Sequence, residues 1–380
     1  MKMNPTYEEY RMDVSCFLKE VVIKNYSSLS KSRTHLKQMW NEAGAAGLFK
    51  GAGNIEFGGF GDRQYSLIVM EELGKHLLLD IPFWLQADVI LHFVQQYGSS
   101  LQKHKYLQPL INGDKIGAFC LTEEHGGSDI NLIRAKATPA EQGYVLTGVK
   151  KFITSASIAD FFLVVARLEE KGENGLAIFL LERDREGITV APIENRRAMQ
   201  ALDLGEVHFN KIQVTREDLL GGLRHASLAI LRGLSVERFA NAVLCQEMCE
   251  VLMREGVEWA RKRNNGRESI MSFQFVSYSF AEHEANSRLT AAFVDTLKQL
   301  YLKEKRLQHQ DVAIAKYKSI SHLIQISTFL AKLFGARTVT GDITNLDILR
   351  VHNDAVAQSI AGGTEEIMKK IISEGFSYSS

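Results

Sequence analysis

Apolar residues recur at two different periods along the chain, and the change of period divides it into three blocks. From Tyr7 to about Ala46, from Tyr65 to Leu79 (YSLIVMEELGKHLLL) and from Ile90 to Leu110 they return every three or four residues, the spacing of an amphipathic helix. In the middle block the period falls towards two. Gly143–Ala156 (GYVLTGVKKFITSA) alternates apolar and polar positions and carries a glycine where a turn would sit, which predicts a β-hairpin. Phe161–Arg167, Leu176–Glu182, Gly187–Ala191 and Glu206–Val214 add β-branched and aromatic runs separated by charged or glycine-bearing turns. The helical period then returns. Leu228, Leu231, Leu234 and Phe239 start a pattern that continues through Val243, Val251 and Trp259. A second helical stretch runs through Phe273, Val276, Phe280 and Leu289, and a third through Ile314, Ile320, Ile324, Leu330 and Leu333.

Proline supports this partition. The five prolines are Pro5, Pro82, Pro109, Pro139 and Pro192, so residues 193–380 contain none. A proline inside a helix costs about 3 kcal/mol, and its absence leaves the last block free to form several long helices packed side by side. Helices, then strands, then helices describe a segregated α+β fold rather than an alternating one. The expected domains are an N-terminal helical domain over 1–115, a middle β domain over 116–218 and a C-terminal helical bundle over 219–380. No internal repeat or low-complexity tract interrupts them.

Composition narrows the classes of function. The chain has 380 residues, 45% hydrophobic and 24% charged, which suits two or three ordinary globular domains. Lys plus Arg and Asp plus Glu both number 45, so no global basic field exists to hold nucleic acid or an anionic membrane. The longest apolar runs, such as Phe161–Ala166 and Leu176–Leu181, fall far short of the ~20 residues that cross a bilayer. Glu8, Glu9 and Asp13 occupy the place of a signal peptide's apolar stretch, and a cytoplasmic location is expected. The four cysteines are Cys16, Cys120, Cys245 and Cys249, too few for a disulfide framework. Cys245 and Cys249 share a helix face without further ligands close by, which suits burial better than zinc, and no metal is expected.

Gly117–Asp129 (GAFCLTEEHGGSD) holds the densest chemistry. Successive Gly and Ser amides can form a concave nest for an anion, and the Thr and Ser hydroxyls can orient a polar ring. A flexible turn before a strand is the plainer reading of such a loop alone. It is followed at a suitable distance by Lys151-Phe152-Ile153-Thr154 and Ala159-Asp160.

With both segments in view, the chain resembles the acyl-CoA dehydrogenase family of flavoproteins over about Tyr7 to Phe376. Thr122-Glu123 and Gly127-Ser128-Asp129 resemble the family's TEPxAGSD loop, with Glu124 in place of the usual proline. Leu234-Ser235-Val236-Glu237-Arg238 is similar to its L-x-x-E-R segment, and Arg263, Gly266, Ile270 and Phe273-Gln274 to its flavin segment. Leu333-Phe334-Gly335, Asn353-Asp354-Ala355 and Gly362-Gly363-Thr364-Glu365-Glu366-Ile367 resemble the closing motifs.

The resemblance implies an N-terminal helical domain, a middle β-barrel or sandwich and a C-terminal four-helix bundle, with FAD as cofactor. Thr122, Ser128, Phe152 and Thr154 would contact the isoalloxazine and phosphates, Phe152 offering a π-face. Ser128 and Arg238 would also lie on the substrate side. Arg263, Gln274 and the Gly335 loop would reach the FAD of a neighbouring subunit, with Thr364 and Glu366 near its phosphates or ribityl chain. A homo-oligomer, dimer or tetramer, follows.

The family places its catalytic carboxylate either just before the late Gly-Thr pair or in the L-x-x-E-R helix. Here the first position is Gly362 and the second is Glu237. Glu237 would therefore take the α-proton of an acyl thioester while flavin N5 takes the β-hydrogen as hydride, and burial against substrate and flavin would raise its pKa. An electron-transfer flavoprotein would accept the electrons.

Other positions depart from the family pattern: Asn265 for Phe, Lys332 and Ala336 around Gly335, Asn353 for Arg, and Ser235 for Asp or Asn. These leave room for a carrier-protein thioester instead of coenzyme A. A flavin oxidase or monooxygenase on the same fold is the alternative activity, and a non-catalytic helical scaffold the third.

Overall fold

The computed structural model describes residues 4–169, 175–222, 226–303, 307–340 and 346–376. In chain order its elements are α1 (Tyr7–Phe17), α2 (Tyr26–Leu29), α3 (Arg33–Ala45), α4 (Arg63–Lys75), α5 (Leu91–Tyr97), α6 (Ser100–Asn112), β1 (Gly117–Cys120), β2 (Lys136–Ala140), β3 (Gly143–Thr154), β4 (Phe161–Leu168), β5 (Leu176–Glu182), β6 (Ile188–Pro192), β7 (Leu204–Val214), α7 (Ala226–Lys262), α8 (Gln274–Leu302), α9 (His309–Phe334), α10 (Arg337–Thr340), α11 (Ile348–Gln358) and α12 (Glu365–Glu374). They gather into two compact units. The first comprises Met1–Val69, Ile81–Arg196 and Gln200–Glu237; the second comprises Met70–Asp80, Arg197–Met199 and Arg238–Ser380. No helix among the described residues is long and apolar enough to cross a membrane.

In the first unit, the amphipathic stretch from Tyr7 to Ala46 is three helices rather than one. A reciprocal capping box between Thr6 and Glu9 starts α1, which runs into a π-helical turn over Leu18–Ile23. Asn25 then donates its amide to the Val21 carbonyl at 2.9 Å, and Ser32 caps the restart at α3. The pattern from Ile90 to Leu110 is likewise broken at Gly98–Ser99, where Ser99 and Gln102 form a second capping box for α6. Periodicity reports the buried face and is blind to these polar caps. Trp40 and Phe49 close on Phe83, with ring centroids 5.1 and 5.7 Å away, to form the aromatic heart of the helical part.

The strands form one seven-stranded sheet in the order β1-β4-β2-β3-β7-β6, with β5 paired to β4. β4 and β5 are nearly continuous apolar runs because all their residues but Arg167 and Glu182 are buried. β1 pairs parallel with one half of β4 and β2 with the other, whereas β3 pairs antiparallel with β2 and β7. The predicted hairpin over Gly143–Ala156 is instead the single strand β3. Its turn lies before it, with Gly143 at φ +101°, a left-handed value suited to glycine. Gly148 is mid-strand, where a Cβ would stand 2.5 Å from the Ala135 Cβ, so this glycine serves close approach and not a turn.

Helices and helix–strand contacts within this unit are tied by polar groups. Glu182 of β5 accepts from the Tyr106 hydroxyl at 2.8 Å and Lys115 at 3.0 Å, and Asp160 pairs with Lys37 at 2.6 Å. Gln86 accepts from the Gly117 amide at 3.2 Å, which docks the start of β1.

The second unit is built on the three long helices that the proline-free block permits. The part of α7 from Arg238 onward packs with α8 and α9, and α11 and α12 pack on α9. Cys245 and Cys249 are buried there, and burial lifts the Cys245 thiol to about 12 and the Cys249 thiol well above its ordinary value. His322 of α9 is buried with neither ring nitrogen hydrogen-bonded, stacked 5.5 Å from His283 of α8. Burial, then the His283 neighbour, depresses its pKa from 6.5 to about 4. The unfolded chain thus binds a proton that the folded chain refuses, and this contribution to stability, present above pH 6.5, is lost as pH falls towards 4. His322→Met is expected to flatten that acid limb, seen as a smaller drop in unfolding midpoint between pH 6.5 and 4.5.

Candidate active site

Four of the five sequence-predicted residues that precede Arg238 lie on one loop and one strand. Thr122 and Ser128 lie on the loop that leaves β1, and Phe152 and Thr154 lie near the end of β3. Two of the bonds that link loop and strand end on carbonyls of the loop. The Lys151 amide donates to the Thr122 carbonyl at 2.9 Å, and the Lys150 ammonium donates to the Leu121 carbonyl at 3.0 Å. Lys150 also meets Glu123 Oε1 at 2.7 Å. Glu123 accepts in addition from the backbone amides of Arg134 at 2.7 Å and Ala135 at 2.9 Å, which fixes the far end of the same loop. Lys150 is 0% exposed and Glu123 7%, and burial, opposed by Glu123, lowers the lysine's pKa from its usual value.

Phe152 follows this anchor in a bulge, between the register positions Lys150 and Ile153. Its φ of +57° is left-handed, a conformation that costs an L-residue about 1–2 kcal/mol, and Ser155 repeats it at +62°. The bulge turns the Phe152 ring outward, 53% exposed, with Lys151 Nζ 5.5 Å from its centre. Thr122 and Thr154 are half-buried, whereas Ser128 is exposed. An outward aromatic plane with hydroxyl-bearing neighbours, held on a rigid frame, fits a planar heteroaromatic group such as a flavin.

Glu237 lies on α7, half-buried, as the last residue of the first unit. Two residues before it, the Ser235 hydroxyl donates to the Leu231 carbonyl at 3.0 Å. Gly233, four residues before Glu237 and so on its face of the helix, lies against Phe93; a Cβ there would meet that ring at 2.7 Å.

In the second unit, Arg238 is 3% exposed; its Nε donates to the Gly362 carbonyl at 3.0 Å, and its Nη1 lies 3.2 Å from His309 Nε2. Lys316, buried in α9, donates to the carbonyls of Ala361 and, at 2.5 Å, Gly363. Two buried cations thus hold three consecutive carbonyls ahead of α12. Gly362 and Gly363 have φ of +65° and +101°, which glycine adopts without penalty. Thr364 then caps α12 by accepting from the Ile367 amide. The Glu366 carboxyl is held below its usual range by its own backbone amide and by Thr364, so a carboxylate already faces this helix start. Arg263, Gln274 and Gly335 are exposed, Gly335 ending α9 with open space around it.

Lys150 and Lys316 are the residues that motif reading passes over. A signal for Lys150 exists in the sequence: it falls in phase with Tyr144 and Leu146 on the inward face of β3. Lys316 sits similarly among the apolar positions of α9.

Comparison with known proteins matches the chain along nearly its whole length. The family model for the acyl-CoA dehydrogenase N-terminal domain covers residues 4–114, the middle domain 118–212 and the C-terminal domain 228–376. The mitochondrial long-chain specific acyl-CoA dehydrogenase of Rattus norvegicus is 28% identical over 370 residues, covering 96% of this chain and 85% of that protein. Among solved structures, an acyl-CoA dehydrogenase from Geobacillus kaustophilus superposes with a TM-score of 0.90 at 25% identity, covering 99% of both chains. Butyryl-CoA dehydrogenase from Megasphaera elsdenii shares the fold with a TM-score of 0.87 at 24% identity, covering 99% of this chain and 100% of that one.

Proposed function

The chain belongs to the acyl-CoA dehydrogenase family, an oxidoreductase with FAD as its cofactor, and from that membership we propose that it desaturates an acyl thioester between the α and β carbons. One observation carries the proposal for the base: a carboxylate stands at Glu237 while glycine occupies 362, where a carbonyl is already bound by Arg238. Of the family's two positions for the base, this chain carries a carboxylate only at the one in the L-x-x-E-R helix.

The α-proton of a thioester is a far weaker acid than any carboxylic acid, so its removal needs a base held within about 3 Å and donors for the enolate oxygen. In this reading, Glu237 takes that proton. Bound FAD supplies the acceptor for the β-hydrogen as hydride. Thr122, Ser128, Phe152 and Thr154 hold the cofactor, Phe152 by stacking and the hydroxyls by hydrogen bonds. Ser128 and Arg238 serve the substrate side, Arg238 by holding the 362 carbonyl in place. Arg263, Gln274 and Gly335 serve the cofactor of a second copy, which makes the working form a dimer or a dimer of dimers, and Thr364 and Glu366 complete that set. The domains of the reading are 1–115, 116–218 and 219–380. Electrons leave to an electron-transfer flavoprotein.

The thioester is carried on coenzyme A or on a carrier protein, and a single experiment separates the two while testing the whole. Purified protein is expected to show a flavin band that bleaches, without oxygen, when the matching acyl thioester is added. A panel of acyl-CoA and acyl-carrier thioesters identifies which carrier works. No bleaching by any member, or protein that takes up no flavin, would end the proposal.

A further inference from the structure

We propose that Glu123 and Lys150 form a buried strut that positions the cofactor-facing loop 121–135 and the Phe152 bulge. The inference rests on the flavin reading above and adds to it two residues that touch neither cofactor nor substrate.

The strut is built from contacts at both ends of one loop. Glu123 Oε1 receives Lys150 Nζ at 2.7 Å and the Ala135 amide at 2.9 Å, and Oε2 receives the Arg134 amide at 2.7 Å. Lys150 Nζ also donates to the Leu121 carbonyl at 3.0 Å. Residues 121, 123, 134, 135 and 150 are thereby locked to one another through a single carboxylate and a single ammonium. Inside this frame, Glu123 and Gly126 exchange backbone hydrogen bonds, each 3.2 Å, and close the turn that leads into Gly127-Ser128. The bare Cα of Gly148 allows Ala135 to approach β3 closely enough to reach the carboxylate.

The placement on β3 gives the strut its reach. Lys150 and Lys151 bind consecutive carbonyls of the loop, at Leu121 and Thr122, and Phe152 is the next residue. The aromatic ring and the Thr122 hydroxyl are therefore referred to one rigid point. A buried ion pair contributes little to stability compared with an apolar pair of the same volume, because desolvation offsets the attraction. What it supplies is geometry, since its directional bonds are satisfied in only one arrangement of loop and strand. Glu123 and Lys150 are positioning residues in this sense.

The test compares flavin affinity with fold stability in the full-length protein. The double variant Glu123→Gln/Lys150→Met removes both charges and strands neither. Its flavin-free form is expected to unfold close to the parent's midpoint, while the dissociation constant for FAD, followed by flavin fluorescence, rises roughly tenfold or more. The visible band of the bound flavin should lose fine structure, and Lys150→Arg should retain most of the affinity. A folded double variant with parental affinity and spectrum would overturn the strut. Should the double variant not fold, hydrogen exchange on the parent decides: the amides of Arg134 and Ala135 must be protected like those of β3, and exchange as fast as residues 127–129 would overturn it. A parent protein that takes up no FAD at all refutes the flavin reading instead, so the two failures are distinguishable.

Discussion

Glu237→Gln is expected to lower the rate of anaerobic flavin reduction by the acyl thioester roughly a thousand-fold, the middle of the range for losing a general base. The replacement is nearly isosteric, so flavin content and the unfolding midpoint should stay at parental values. The amide can still accept a hydrogen bond but cannot keep a proton, and so the loss falls on the chemical step. Single-turnover rates should collapse while the KM for the thioester moves little, the pattern of an interaction made in the transition state. No second carboxylate is available at position 362, where the chain carries glycine. Retained turnover in this variant would remove Glu237 from the mechanism.

Arg350→Met should have the largest effect on stability. Arg350 of α11 faces two carboxylates of its own unit, Asp354 at 3.3 Å and Asp80 at 4.0 Å, of which Asp80 is 0% and Asp354 1% exposed. Asp354 also accepts from the Met199 amide at 2.6 Å, and Arg350 donates to the Leu77 carbonyl at 3.1 Å. Deleting the cation from a buried charge cluster costs about 3–5 kcal/mol because the remaining charges stay desolvated. The pH dependence identifies the cause. Burial, then the nearby Asp80 charge, raises the Asp354 pKa from 3.8 to about 7, with Arg350 opposing the rise. The folded chain therefore holds an extra proton across that window, and this site contributes stability at low pH that is lost as pH rises through about 7. Without Arg350 the loss should be steeper and largest at pH 8. Denaturant midpoints at pH 5 and pH 8 measure this, and Asp354→Asn in the same background should restore most of the difference. Equal midpoints for parent and Arg350→Met at pH 8 would refute the assignment.

Long helices were the easiest part of the fold to read from sequence, for a physical reason. α7, α8 and α9 bury one stripe each over many turns, so the period repeats often enough to stand out. Breaks at Asn25 and Ser99 escape the same reading because a cap is one polar residue in local contact with its neighbours. The error over β3 has a similar origin. Both Gly143 and Gly148 are compatible with a turn, and only tertiary contact with Ala135 shows that the second lies mid-strand.

Of the proposed site, Phe152 and Glu237 are singled out by family motifs, whereas alternation alone assigns neither a role. Lys150 illustrates the opposite case. Its burial follows from the phase of β3, yet a lysine beside a second lysine reads as a solvated pair until a buried carboxylate is found opposite. The partition into two units, which falls between Glu237 and Arg238 within one helix, has no counterpart in composition or periodicity.

The placement of the cysteines gives the chain a built-in reporter. Cys16 is exposed, whereas Cys120 is buried in the first unit and Cys245 and Cys249 in the second. Thiolate is the reactive form, and burial raises the pKa of all three interior thiols. A short pulse of maleimide at neutral pH should therefore tag one position in the native protein, and each later tag, located by peptide mass, dates the opening of the unit that hides it.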